Sequence, residues 1–189
     1  MKRSEVNHAI KESTSFFRKN GWTLPPKPRW DVTDFGLGDF KKYGLVLINL
    51  AEEVEYCEKL MYAFKNQVTP AHCHKIKKED IICRNGILVV QVWHGLPNTN
   101  ENRFQVKING AFRKVASGEK INLHSGERIT LEPGIYHEFY PVSDQCIIGE
   151  VSTVNDDLND NFFVNSNIGR YTKIEEDEPP LVSLIGDIH

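Results

Sequence analysis

The chain has 189 residues, of which 40% are hydrophobic and 26% charged, the make-up of one globular domain that buries a core without disulfide staples. Lys plus Arg number 23 and Asp plus Glu 26, for a formal net charge of −3, which argues against a nucleic-acid-coating protein and against a polybasic membrane binder. No apolar run approaches the ~20 residues that span a bilayer, and no apolar stretch follows the basic start Met1-Lys2-Arg3 as a signal peptide would require.

In chain order, the spacing of Val6, Ile10 and Phe17 predicts a helix over Ser4–Asn20, with Ser4 as its cap and Asn20-Gly21 as its stop. Leu24-Pro25-Pro26-Lys27-Pro28 is extended. Asp31 to Lys42, with Gly36 and Gly38, reads as a loop or short turn. From Gly44 onward the signal is strands: Leu45–Leu50, Cys57–Phe64, Ala71–His74, Glu79–Cys83, Ile87–Trp93, Lys120–Leu123, Glu127–Leu131, Tyr136–Pro141 and Gln145–Thr153. Asn85-Gly86 and Asn109-Gly110 read as hairpin turns. Short strands with no room for crossover helices make the chain all-β, a sandwich or small barrel. The Glu175–Pro180 run reads as a solvated turn, and the apolar tail Leu181–Ile185 is expected to pack back on the body. The expected division is a helical arm over residues 1–43, a barrel over 44–154 and a C-terminal segment over 155–189.

Cys57, Cys73, Cys83 and Cys146 form no C-x-x-C pair, so they read as reduced, mostly buried thiols of a cytoplasmic protein. The chemistry is concentrated around His72 and His74. Two residues apart on a strand, they share a face. Glu79 follows after four residues, and Pro133-Gly134 turns the chain into a strand that begins near His137. Three imidazoles and one carboxylate leave two positions open on an octahedral ion, which suits Mn²⁺, Fe²⁺, Co²⁺ or Ni²⁺ better than a closed zinc site. Cys73 should point to the opposite face. His8, His94, His124 and His189 read as surface or strand-end residues.

The order His72-x-His74-x4-Glu79-x6-Gly86, followed by Pro133-Gly134-x-x-His137, resembles the two motifs of the cupin superfamily. That resemblance implies a double-stranded β-helix, or jelly-roll barrel, behind the N-terminal helical arm. Glu58-Lys59, Lys77, Glu79-Asp80-Ile81-Ile82 and Gly149-Glu150-Val151-Ser152-Thr153-x-Asn155-Asp156-Asp157 further resemble the D-lyxose isomerase family of cupins. This implies a Mn²⁺-dependent homodimeric enzyme that interconverts D-lyxose with D-xylulose and D-mannose with D-fructose through a metal-stabilised enediolate.

Such a reaction needs a base that is not itself on the metal. Glu150 is the candidate: mid-strand among apolar residues, a carboxylate is costly unless paired or used, and burial should raise its pKa. Lys59 is the candidate proton donor to a sugar oxygen. Lys77, Asp160 and Arg170 are candidate substrate contacts, while Lys75 and Lys78 read as solvated. The competing readings are a phosphosugar isomerase using Lys75, Lys77 and Lys78, a metal oxygenase, and a non-enzymatic sugar-binding cupin.

Overall fold

The computed structural model describes residues 1–97, 103–153, 156, 159–169 and 172–188. Helix α1 (Arg3–Lys19) precedes β1 (Arg29–Thr33), β2 (Leu45–Glu52), β3 (Cys57–Phe64), β4 (Thr69–Cys73), β5 (Glu79–Asn85), β6 (Ile87–His94), β7 (Phe104–Ile108), β8 (Ala111–Val115), β9 (Glu119–His124), β10 (Arg128–Leu131), β11 (Ile135–Pro141), β12 (Gln145–Ser152) and β13 (Phe162–Phe163). The strands form two sheets, ordered β1-β2-β3-β12-β5-β10-β7-β8 and β13-β4-β11-β6-β9. Every pairing between these strands is antiparallel.

The strands of the larger sheet that carry the site are covered on both faces. Along β2 and β3, Leu45, Met61 and Ala63 join the core between the sheets, together with Ile81, Cys83, Val90 and Ile148. Their neighbours Val46, Ile48, Leu60 and Tyr62 join a second core under α1, built on Val6, Ala9, Ile10 and Phe17. Two-sided burial explains why Leu60–Phe64 of β3 reads as an unbroken apolar run rather than an alternation. It also makes Lys59, buried in that strand, an exception that needs a partner.

The helix is held at both ends. Its start is closed by the Lys2 N–H donating to Glu5 Oε2 at 2.9 Å. Ser4 is not the cap; its hydroxyl donates to Asp177 Oδ2 at 2.6 Å. Asn20 ends the helix and Gly21 follows at φ 80°, as the sequence indicates. The acidic run after Glu175 is more than a solvated turn. Glu176 accepts from Arg3 at 2.6 and 2.8 Å, and Glu178 accepts from Asn7 at 2.6 Å. Behind it Leu184 packs into the helix-side core, whereas Leu181 stays exposed.

Other expectations are corrected by the pairing. Residues 31–33 lie in strand β1, not in a loop, and Trp30 and Val32 of that strand fill the core under α1. Phe104–Ile108 and Ala111–Val115 are strands that were not anticipated, although Asn109-Gly110 does turn between them, with φ of 51° and 83°, the geometry of a tight two-residue hairpin. Asn85-Gly86 is no hairpin: β5 and β6 belong to different sheets, so this turn carries the chain across the barrel. No helix among the described residues is long and apolar enough to cross a membrane.

Two glycines separate strain from collision. A Cβ on Gly110, at φ 83°, meets nothing within 4 Å, whereas one on Gly86, at φ 100°, sits 2.5 Å from Ser143 Oγ and 2.9 Å from the Gln145 carbonyl oxygen. Gly110→Ala should cost about 1 kcal/mol, the left-handed penalty alone. Gly86→Ala should cost on the order of 3 kcal/mol or more, because backbone must also move. Urea unfolding of the two variants checks the order; equal costs would contradict it.

Candidate metal centre

Strand periodicity brings the site together from both sheets. Inward positions on the larger sheet place Lys59 on β3, Glu79 and Ile81 on β5, and Glu150 on β12 on one side of a cavity. Inward positions on the smaller sheet supply His72 from β4 and His137 from β11, which face each other in the pairing register. His74 lies one residue beyond the end of β4, yet it joins the group because a loop holds it there. Cys73 points elsewhere, as alternation requires, and is buried outside the cluster.

The nitrogen and oxygen donors of His72, His74, Glu79 and His137 all lie within 4.8 Å of one another, and all four residues are buried. The backbone sets the direction of each imidazole. Nδ1 of His72 lies 2.7 Å from the Pro70 carbonyl, that of His74 2.7 Å from the Asp160 carbonyl, and that of His137 3.2 Å from the Ile135 carbonyl. A carbonyl only accepts, so each Nδ1 carries the proton and each Nε2 presents a lone pair. Burial and the two neighbouring imidazoles hold the His72 pKa well below its ordinary value, which keeps that lone pair free.

Glu79 closes the group. Its Oε1 lies 2.9 Å from His137 Nε2 and 3.4 Å from His74 Nε2, while its Oε2 receives the Lys77 ammonium at 2.9 Å. Oε1 and both of these nitrogens are buried without a hydrogen-bond partner. Lone pairs turned on one another in a dry interior repel unless positive charge lies between them. Three imidazole nitrogens oriented by backbone carbonyls, plus one carboxylate oxygen, suit a divalent transition metal, and the group could hold one.

Beside this group lies a second carboxylate. Glu150, paired with Lys59 in the β12–β3 register, contacts Lys59 Nζ at 3.4 Å and Lys77 Nζ at 3.0 Å through Oε1. The expectation of a raised pKa is overturned. Burial pushes the Glu150 carboxyl up, but the Lys59 and Lys77 ammonium groups outweigh it and leave it below the ordinary value. Burial likewise pulls Lys77 down, and Glu150 and Glu79 more than reverse this, so Lys77 stays protonated.

Asp160 is not turned toward a substrate. Its carboxylate accepts from the backbone N–H groups of Lys75 at 2.7 Å, Ile76 at 3.2 Å and Lys77 at 2.8 Å. Burial raises its pKa, but these amides prevail and lower it. Arg170 lies outside the described residues. Lys75 sits over the Phe162 ring, 3.9 Å from its centroid, and Lys78 pairs with Glu132 at 2.7 Å. Both are therefore turned away from the cavity. Sequence reading missed Asp31, Thr33, Asn161 and Phe163, which also line it. Phe163 stacks 5.2 Å from the His72 ring. None has a local signature, since each reaches the site through pairing or chain return.

The model of the D-lyxose isomerase family matches residues 27–188. The chain is 35% identical to a D-lyxose/D-mannose isomerase of Escherichia coli O157:H7, over 99% of this chain and 98% of that protein. It is 30% identical to a D-lyxose ketol-isomerase of Cohnella laeviribosi, over 94% of this chain and all of that protein. Among solved structures, the L-ribose isomerase of Cellulomonas parahominis with L-psicose superposes at a TM-score of 0.71 and 17% identity, covering 93% of this chain and 98% of that one. That likeness is one of fold, the cupin barrel.

The donor set predicts one divalent cation per chain. Glu79→Gln, which removes the only anionic member of the donor set, should weaken that binding more than ~100-fold, as read by calorimetry with Mn²⁺. Unchanged affinity would place the cation elsewhere.

Proposed function

The chain belongs to the D-lyxose isomerase family, and from that premise we propose that its barrel is an aldose–ketose isomerase interconverting D-lyxose with D-xylulose and D-mannose with D-fructose. The observation that carries the reading is the set of mutually facing, unpartnered lone pairs on His74, Glu79 and His137 in a cavity that also holds an ionised carboxylate between two ammonium groups. We assign His72, His74, Glu79 and His137 as ligands of a divalent cation, Mn²⁺ in the cell. When bound, the cation supplies Lewis-acid polarisation of adjacent sugar oxygens.

The remaining steps fall to the chain itself. Isomerisation moves one proton from C2 to C1 and another from O2 to O1. Glu150, kept ionised by Lys59 and Lys77, takes the C2 proton and returns it to C1. The Lys59 ammonium relays the oxygen-bound proton. Lys77, gripping Glu79 and Glu150 at once, fixes the distance between the ligand group and the base. Phe35, Leu47, Met61 and Phe139 wall the cavity and limit water around the charge that develops on the sugar.

A phosphosugar substrate is disfavoured because both described lysines of the cavity, Lys59 and Lys77, face carboxylates. We further propose a cytoplasmic homodimer. The lyxose and mannose assignments draw support from the names of the relatives.

Two measurements test the reading. Protein stripped of metal and reloaded with Mn²⁺ should form ketose from lyxose and mannose; turnover of mannose 6-phosphate alone would overturn the substrate assignment. Glu150→Gln should bind Mn²⁺ normally and lose ~10²–10⁴-fold in kcat. Near-normal kcat in the Mn²⁺-loaded variant would remove Glu150 from the reaction.

A further inference from the structure

Two functional side chains, His74 and Lys77, come from the short link between β4 and β5. A loop of this kind places a side chain only as well as its backbone is fixed, and the link bonds directly to Asp160, in the segment that follows β12. The Asp160 carbonyl accepts the His74 Nδ1–H at 2.7 Å. Its carboxylate accepts three successive N–H groups, with Oδ1 at 2.7 Å from Lys75 N and Oδ2 at 2.8 Å from Lys77 N. Ile76 N lies 3.2 Å from both oxygens. The residue is 4% exposed, and a buried carboxylate that spends both oxygens on consecutive amides acts as a strong local clamp. From the other side, the Gly134 N–H donates to the His74 carbonyl at 2.7 Å.

We propose that Asp160 is a positioning residue: by latching the 74–77 backbone it sets where His74 Nε2 and the Lys77 ammonium stand relative to Glu79 and Glu150. It touches neither cation nor sugar. It carries a constraint from the C-terminal part of the chain to the ligand group through His74, and to the Glu79–Lys77–Glu150 ion pairs through Lys77. The inference rests on the cation-binding reading above for its functional consequence, but the latch itself is a matter of backbone amides.

The test uses the full chain carrying Asp160→Ala or Asp160→Asn. Hydrogen–deuterium exchange should accelerate at least ~10-fold at the 75–77 amides while β3 and β12 keep their protection, as a local opening does. Mn²⁺ affinity, measured by calorimetry and corrected to the folded fraction, should fall ~10–100-fold for Asp160→Ala, the range for a group that orients a ligand. Asp160→Asn, which retains one acceptor oxygen, should fall between that variant and wild type. General destabilisation would raise exchange everywhere and leave the affinity of the folded fraction unchanged. That result, or unaltered exchange at 75–77, would overturn the proposal. If Asp160→Ala does not fold, the same two readouts on Asp160→Asn decide. Failure of the wild-type chain to bind Mn²⁺ would instead sink the cation reading and the part of this inference that concerns affinity, while the exchange data still decide the latch.

Discussion

A carboxylate buried between two sheets is tolerated only if both of its oxygens are answered by positive charge or by donors, and Glu79 meets that condition on one side only. Its Oε2 holds the Lys77 ammonium at 2.9 Å; its Oε1 faces the Nε2 lone pairs of two histidines whose protons are already committed to backbone carbonyls. A cation held by this group would complete the electrostatics. The remaining polar groups of the site follow from this arrangement. Lys77 must be buried to satisfy Oε2, Glu150 must accompany Lys77, and Lys59 must accompany Glu150. The two ammonium groups and two carboxylates cancel in formal charge, so an added divalent cation leaves the site cationic and suited to a substrate that develops negative charge on oxygen.

The fold supplies the rigidity that such a site requires. The eight-stranded sheet is fixed from behind by α1, whose apolar stripe packs on Val46, Ile48, Leu60, Tyr62 and Ile147. Of these strands β3 and β12 present Lys59 and Glu150 on their inner face, and β5, paired with β12, presents Glu79 beside them. The helix in turn is tied to the C-terminal run through Arg3, which reaches both Glu176 and Asp187. The N-terminal arm and the C-terminal segment therefore brace the sheet that carries half of the site, and Asp160 extends that bracing to the loop that carries His74 and Lys77.

Much of this was legible in the sequence because its signals are local. The period-2 spacing of His72 and His74, the x4 step to Glu79 and the Pro-Gly turn ahead of His137 are short-range patterns, and the four residues do converge. The strand Cys57–Phe64 is recovered at its full length because two-sided burial leaves the unbroken apolar run Leu60–Phe64 within it. What escaped depends on distant partners. Strand β1 follows three prolines, Pro25, Pro26 and Pro28, and glycine-rich sequence lies after it; its identity comes from pairing with β2 and from covering α1. Asn85-Gly86 carries a hairpin signal, but the sheets on either side differ, so the same left-handed glycine serves a crossing. The depressed Glu150 carboxyl reflects two lysines, one 91 and one 73 positions away in sequence, which no reading of its own strand supplies. Asp160 reads in the sequence as a sugar contact, whereas its carboxylate holds the Lys75, Ile76 and Lys77 backbone amides, partners that leave no pattern in the sequence.

X-ray absorption spectroscopy of the Mn²⁺-loaded chain tests the central claim most directly. The account predicts a first shell containing three imidazole nitrogens, with one imidazole lost in His137→Ala. An oxygen-only shell, or a spectrum indifferent to that substitution, would contradict it.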